Sequence, residues 1–293
     1  MDQLRSAVVG EKVSERTWQR IYAPPLRRLI NTAGERSWPT DESLLLTTLK
    51  TWEPNSRARQ MAHDRIRRMW KQAGWEWPAD AAELRGNGKA AADPEGVRAF
   101  TDAELQELRA RIERSIARHK LTPADLVAWD CLMVFGLRPV ELQGLQLAEQ
   151  QGVPVATITR EKKSSKGRSG ARQCPAVPPA GWPADCSGLV ERFNQHGIPP
   201  AMTKAASPGE VMAQQLQRLK GQPAIESTIA AELTPYGCRH AFALRLALQL
   251  GMHTREAAAL MGHSPAVHLS TYGRRLDSPR LLGDVIARVK SQT

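Results

Sequence analysis

No stretch of 18 consecutive apolar residues occurs in the 293-residue chain, so the sequence offers no membrane-spanning helix. The opening residues, MDQLRSAVVGEKVSERTW, lack the apolar centre of a secretory signal. Cysteine is scarce, and Cys131, Cys174, Cys186 and Cys238 form no CxxC pair, which argues against a disulfide framework and leaves buried, reduced thiols. His240, His253, His263 and His268 match no zinc-ligand spacing, so neither metal nor cofactor is expected. Tyrosine occurs only three times. Acidic residues are also short, 30 against 41 lysines and arginines, for a formal charge of +11. With no membrane signature, that surplus points to a nucleic-acid partner and a cytoplasmic, nucleoid-associated location.

What is present is mostly helical patterning. Trp18, Ile21, Tyr22, Leu26, Leu29 and Ile30 keep a helical stripe, which Pro24-Pro25 should interrupt and Gly34 close. Thr40 or Asp41 caps a second helix carrying Leu44, Leu45 and Leu49, and Asn55 or Ser56 starts a third. In that third helix Ala58, Met61, Ala62, Ile66, Met69, Trp70 and Ala73 form the apolar face. Its other face carries Arg57, Arg59, Arg65, Arg67, Arg68 and Lys71, a row suited to a phosphate backbone. From Pro78 to Arg98 the composition turns to small, glycine and charged residues without periodicity, as in a linker. The expected organisation is a helical DNA-binding domain over 1–79, a linker over 80–98 and a second domain over 99–293.

The second domain opens on a capping box, Thr101-Asp102-Ala103-Glu104, and repeats a Ser/Thr-Pro helix start at Thr122, Ser207, Thr234, Ser264 and Ser278. Only Val153–Thr159 and Ala171–Val177 read as strands, joined by the basic loop EKKSSKGRSG. The fold class is therefore mainly α with a small β-hairpin or sheet.

Three segments carry chemistry. In LMGHSPAVHLSTYGRR, Gly262 ends one helix, Ser264-Pro265 opens the next, and Tyr272 stands nine residues after His263 and just before Arg274 and Arg275. A phenol among cations is a candidate nucleophile toward a phosphate. Arg138 follows the helix-stopping Gly136, free to offer two parallel hydrogen bonds to an anion, with Glu141 three residues on to orient it. Arg239 falls in the first turns of a helix opened by Thr234-Pro235, where backbone amides also favour an anion.

Together, Gly136-Leu137-Arg138-Pro139-Val140-Glu141-Leu142, Tyr236-Gly237-Cys238-Arg239-His240 and the Gly262-His263 to Tyr272 segment resemble the GLRxxEL, HxxRH and GHxxxxxxxxY motifs of the tyrosine recombinases (phage integrases), in that family's order. The resemblance spans about residues 100 to 275. It implies a two-domain clamp, a helical core-binding domain plus a catalytic domain. Tyr272 would attack a DNA phosphodiester to form a 3′-phosphotyrosyl link, with Arg138, Arg239 and His263 on the phosphate and Glu141 supporting. A hairpin lysine would protonate the leaving 5′ oxygen. Lys166 fits that place best, Lys163 is the alternative, and Lys162, Lys163, Arg168 and Arg172 would otherwise track the backbone. The family's first HxxR residue is Tyr236 here, a hydrogen-bond donor but a poor base at neutral pH. His240 reads as structural.

The resemblance further implies a specific double-stranded DNA site, a homotetramer on DNA with Ser278–Lys290 as a docking helix, and service to a mobile element through integration or excision. A type IB-like topoisomerase and a helical DNA-binding regulator with a decayed site stay open as alternatives. Because neutralisation would rest on arginine, histidine and lysine, cleavage is expected to survive EDTA. Loss of cleavage in EDTA, restored by magnesium, is the contrary result.

Overall fold

The computed structural model describes residues 2–10, 13–88, 98–160, 163–164, 167–168, 171–221 and 229–273. The chain divides into two compact units, 1–94 and 95–293, each with its own apolar core.

In the first unit, α1 (Asp2–Val8) and the short α2 (Glu15–Thr17) precede a wide π-turn over Trp18–Tyr22 that runs directly into α3 (Ala23–Glu35). The sequence placed a break at Pro24-Pro25; the chain instead stays helical. Both prolines sit in the first turn of α3, where no intrahelical partner is needed from their missing N–H groups, and the π-turn closes when the Ala23 amide donates to the Trp18 carbonyl. Then come α4 (Asp41–Lys50), α5 (Arg57–Gln72) and α6 (Ala79–Glu83). Thr40 and Ser43 cap α4 reciprocally, and the Ser56 side chain accepts from the Arg59 amide at the start of α5. Trp18, Tyr22, Leu26, Leu45, Leu49, Ile66 and Trp70 fill the core between these helices. Ala81 of α6 is fully buried in the same core, so ordered structure continues past residue 80, where the sequence placed the start of the linker.

The second unit starts with α7 (Asp102–Ala117) and α8 (Pro123–Phe135), each opened by a capping box, Thr101 with Glu104 and Thr122 with Asp125. Every residue of α8 from Asp125 to Phe135 is buried, which makes it the central helix of the unit. Gly136 ends it in the left-handed region at φ 58°, and a Cβ there would stand 2.5 Å from the Phe242 ring. That position admits only glycine without movement of the core.

A single 3₁₀ turn, Pro139–Leu142, follows and leads into the sheet. β1 (Leu145–Gln150), β2 (Val153–Ile158) and β5 (Arg172–Pro175) form an antiparallel sheet in the order β1-β2-β5. The sequence showed the β2–β5 pair but not β1. Its LQLAEQ is mostly exposed and polar after Leu145, and the hairpin to β2 turns on Gln151-Gly152, both at positive φ. Within the basic loop, β3 (Lys163–Ser164) pairs with β4 (Gly167–Arg168), Lys163 opposite Arg168, so the segment read as loop carries a short ladder. Lys162 and Lys166 lie outside the described residues.

The remaining elements are α9 (Leu189–His196), α10 (Pro200–Thr203), α11 (Pro208–Lys220), α12 (Tyr236–Leu248), α13 (Thr254–Met261) and α14 (Pro265–His268), then a second π-turn over Leu269–Gly273. Starts at Pro208 and Pro265 follow the Ser-Pro signal directly, while Thr234-Pro235 is followed by helix from Tyr236. The C-terminal helix expected over Ser278–Lys290, together with Arg274 and Arg275, falls outside the described residues. No described helix is long and apolar enough to cross a membrane.

Candidate active site

Arg239, on the first turn of α12, is fully buried and organises what surrounds it. Its Nη1 donates to the Gly136 carbonyl at 2.7 Å, its Nη2 donates to the Met261 carbonyl and to His263 Nδ1 at 3.0 Å, and its Nε donates to the Tyr272 hydroxyl at 3.1 Å. Gly136 is the residue that caps the end of α8 and Met261 is the last residue of α13, positions where carbonyls have no partner within the helix. A guanidinium there satisfies those carbonyls and lies at the negative end of both helix dipoles. The glycines that stopped helices in the sequence therefore do more than end them: they bring two helix C-termini to one cation.

Glu141, only 2% exposed, is the common partner of three arginines. It accepts from the Arg138 backbone amide at 2.7 Å and Arg138 Nη1 at 2.8 Å, from Arg172 Nη1 and Nη2 at 3.1 Å each, and lies 3.9 Å from Arg239 Nη1. Burial alone would raise its carboxyl; the hydrogen bonds and charge of Arg172, with Arg239 and the Arg138 amide, outweigh that and hold it below the usual range. Three guanidiniums against one carboxylate leave two positive charges uncompensated, an arrangement that attracts phosphate.

Arg172 was read as a backbone-tracking cation of the hairpin. Its guanidinium is instead held inside the site, bidentate on Glu141 and with Nε donating to the Leu260 carbonyl at 2.7 Å. It fits beneath Gly262, the left-handed residue ending α13, where a Cβ would lie 2.8 Å from Arg172 Nη1. A signal for this was present: Cys174, read as buried, is two residues along the same strand and therefore shares a face with Arg172.

Glu141→Gln should lower stability by about 2–3 kcal/mol at pH 7, because charged hydrogen bonds to three arginines are weakened together. A carboxylate with a depressed folded pKa contributes stability that is full above its unfolded value, 4.5, and is lost as pH falls through the lower folded value. The gap between wild type and variant should accordingly narrow in acid. Urea unfolding at pH 7 and below pH 4.5 measures it, and a gap that widens in acid contradicts the assignment.

Tyr272 stands on the second π-turn, 3% exposed, with its ring 5.6 Å from His263, 5.0 Å from His268 and 4.8 Å from His240. Burial raises the phenol most; the Arg239 charge pulls it down, Tyr236 adds to the rise, and the result is a pKa of about 12. At neutral pH it is a neutral hydroxyl, which becomes a strong nucleophile only once a neighbouring group or solvent takes its proton. His263 is pushed down to about 3, first by burial and then by the charges of Arg239, His268 and Arg138. It is therefore a neutral imidazole, a hydrogen-bonding group rather than a charge. Tyr236 begins α12, 36% exposed, with its ring 5.1 Å from His240, which packs edge-on between Tyr236 and Tyr272.

The structure thus brings Arg138, Glu141, Tyr236, Arg239, His263 and Tyr272 into one neighbourhood. It adds Arg172 and His268, which the sequence reading did not place at the site. Lys163 belongs to β3, and the favoured candidate, Lys166, lies outside the described residues. On α5 the expected basic face is divided. Arg57, Arg67 and Lys71 are exposed, whereas Arg65 packs over the Tyr22 ring at 4.4 Å and Arg68 donates to the Tyr22 hydroxyl at 3.0 Å. Arg59 departs from that face altogether: it is buried and its guanidinium donates to the carbonyl of Trp52, in the link between α4 and α5, which takes it out of reach of a phosphate. Among the described residues no cluster of three or more His, Cys, Asp or Glu side chains is arranged to hold a metal ion.

The architecture around this site recurs in solved structures. A lambda integrase dimer bound to a COC′ core site superposes with a TM-score of 0.60 at 16% identity, covering 95% of each chain. The Tn1549 transposon integrase in complex with transposon right end DNA gives 0.55 at 16% identity, over 99% of this chain and 96% of that one. This chain has the tyrosine-recombinase fold. The XerH site-specific recombinase, bound to a palindromic difH substrate after cleavage, shares that fold with a TM-score of 0.56 at 13% identity, over 88% of this chain and 77% of its own. Residues 8–85, within the first unit, match the family described as the XisA/XisC excisase second domain. No curated protein matches the chain in sequence.

Proposed function

We propose that the protein is a site-specific DNA recombinase that cuts and rejoins strands through a 3′-phosphotyrosyl intermediate on Tyr272. The observation carrying this reading is the single arginine, Arg239, that donates at once to the Tyr272 hydroxyl and to His263, with Arg138 and Arg172 joined to it through Glu141. In the reaction the Tyr272 oxygen attacks phosphorus, the bond to the 5′ oxygen breaks, and the guanidiniums hold the negative charge that builds on the non-bridging oxygens. A lysine of the β3–β4 segment, Lys166 or Lys163, protonates the departing oxygen. A 5′ hydroxyl from a partner strand then reverses the attack, and bond energy is kept in the phosphotyrosine, so no nucleotide cofactor is consumed. Specific duplex DNA, a homotetramer on that DNA and service to a mobile element complete the proposal. The exposed Arg57, Arg67 and Lys71 of the first unit support it as backbone contacts.

The test uses a pool of randomised duplexes, each nicked so that a short 5′-hydroxyl fragment diffuses away after cleavage. Covalent protein–DNA adducts are isolated, the DNA is sequenced, and the modified peptide is mapped. A phosphotyrosine at Tyr272 with a shared DNA sequence supports the reading. Retention of DNA without any adduct favours a binding protein whose chemistry has decayed, the state that Tyr236 at the HxxR position would accompany.

A further inference from the structure

His268 has no part in the chemistry so far, yet it is buried at the centre of the site. It ends the one-turn helix α14, which Ser264 opens by accepting the Val267 amide, and it is 2% exposed. Its Nδ1 lies 3.0 Å from His263 Nε2. The two ring centres are 5.2 Å apart and the planes differ by 19°. A contact that short between centres that far apart means the imidazoles meet edge to edge and almost coplanar, as an in-plane N–H···N hydrogen bond requires.

The direction of that bond follows from Arg239. A guanidinium has donors only, so His263 Nδ1, 3.0 Å from Arg239 Nη2, must be the acceptor and carries no proton. The proton of the neutral His263 ring therefore sits on Nε2 and is donated to His268 Nδ1, leaving the His268 proton on its own Nε2. The chain of donors runs from Arg239 through His263 to His268. Tyr272 packs against both imidazoles, its ring 5.6 Å and 5.0 Å from their centres.

We infer that His268 is a positioning residue: its Nδ1 accepts the His263 Nε2 proton, holding His263 in one tautomer and one ring plane while its own ring walls the Tyr272 phenol. This rests on the proposed strand cleavage, in which the His263 Nε2–H is the donor offered to a phosphate oxygen. In the DNA-free protein His268 is the acceptor for that proton, so the donor is aimed before the phosphate arrives and is handed from one acceptor to the other.

Two substitutions separate this role from packing. His268→Asn keeps an acceptor oxygen near the Nδ1 position, whereas His268→Leu fills the space without one. In nitrogen-15 spectra of histidine-labelled, DNA-free protein, wild type and His268→Asn should show His263 with a slowly exchanging proton on Nε2 and none on Nδ1. In His268→Leu that Nε2 proton should exchange with water. Covalent capture of the nicked duplex pool should fall about 100-fold in His268→Leu and only about threefold in His268→Asn, with duplex retention equal in both. A protected Nε2 proton in His268→Leu, or equal losses of capture in the two variants, overturns the inference. Should wild type form no Tyr272 adduct, the cleavage reading fails by itself, and the spectra still decide whether His268 holds His263.

Discussion

Tyr272→Phe is expected to abolish covalent capture of DNA while leaving duplex retention at the wild-type level. The change removes one oxygen. The ring keeps its contacts with His240, His263 and His268, so the site's shape is preserved and only the hydroxyl proposed as nucleophile is lost. It also leaves the Arg239 Nε–H without its acceptor at a position 3% exposed, which should cost about 1–3 kcal/mol of folding stability. Capture on the nicked pool and urea unfolding together give the answer. Adducts from the phenylalanine variant would move the nucleophile to one of the other two tyrosines. Tyr236 is the stronger candidate, exposed at the start of α12 in the same unit, whereas Tyr22 is buried in the core of the first unit and accepts from Arg68.

Arg239→Lys should be the most damaging conservative change in the chain. An ammonium has three donors on one atom and cannot reach the Gly136 carbonyl, the Met261 carbonyl, His263 and Tyr272 at once. The charge survives but the geometry does not. Cleavage should fall by about 10²–10³-fold, the usual consequence of losing a preorganised donor to the transition state. Stability should drop by about 3–5 kcal/mol as well, since one ammonium cannot hydrogen-bond both helix C-termini and Glu141 loses the third guanidinium near it. The readouts are the single-turnover rate of adduct formation and the urea midpoint. A variant that cleaves normally would remove Arg239 from the reaction altogether.

Much of the second unit was legible because its helix starts are written locally. Thr101 with Glu104 and Thr122 with Asp125 need only their own side chains to cap a helix, and Ser-Pro pairs act the same way. The cluster of Arg138, Glu141, Arg239, His263 and Tyr272 was legible by resemblance rather than by pattern, since no spacing rule brings residues a hundred positions apart together. What stayed hidden was long-range partnership. Arg59 and Arg172 are both arginines in basic surroundings, and only the fold shows that one caps Trp52 and the other underlies Gly262. β1 was missed because its outer face is polar and its pairing is supplied by β2. Pro24-Pro25 was misjudged because proline breaks a helix in its interior but is tolerated in its opening turn.

The near-saturation of Arg239 has one further consequence. At rest four of its five N–H donors are already committed to the chain's own carbonyls, imidazole and phenol, so a phosphodiester that bonds there with more than one oxygen has to displace one of them. In the proposed reaction, binding at that residue is an exchange, and the free energy to drive it has to come from contacts made along the rest of the duplex. A passing phosphate would then stay uncut, and the blade would open only on DNA that is gripped over its full site.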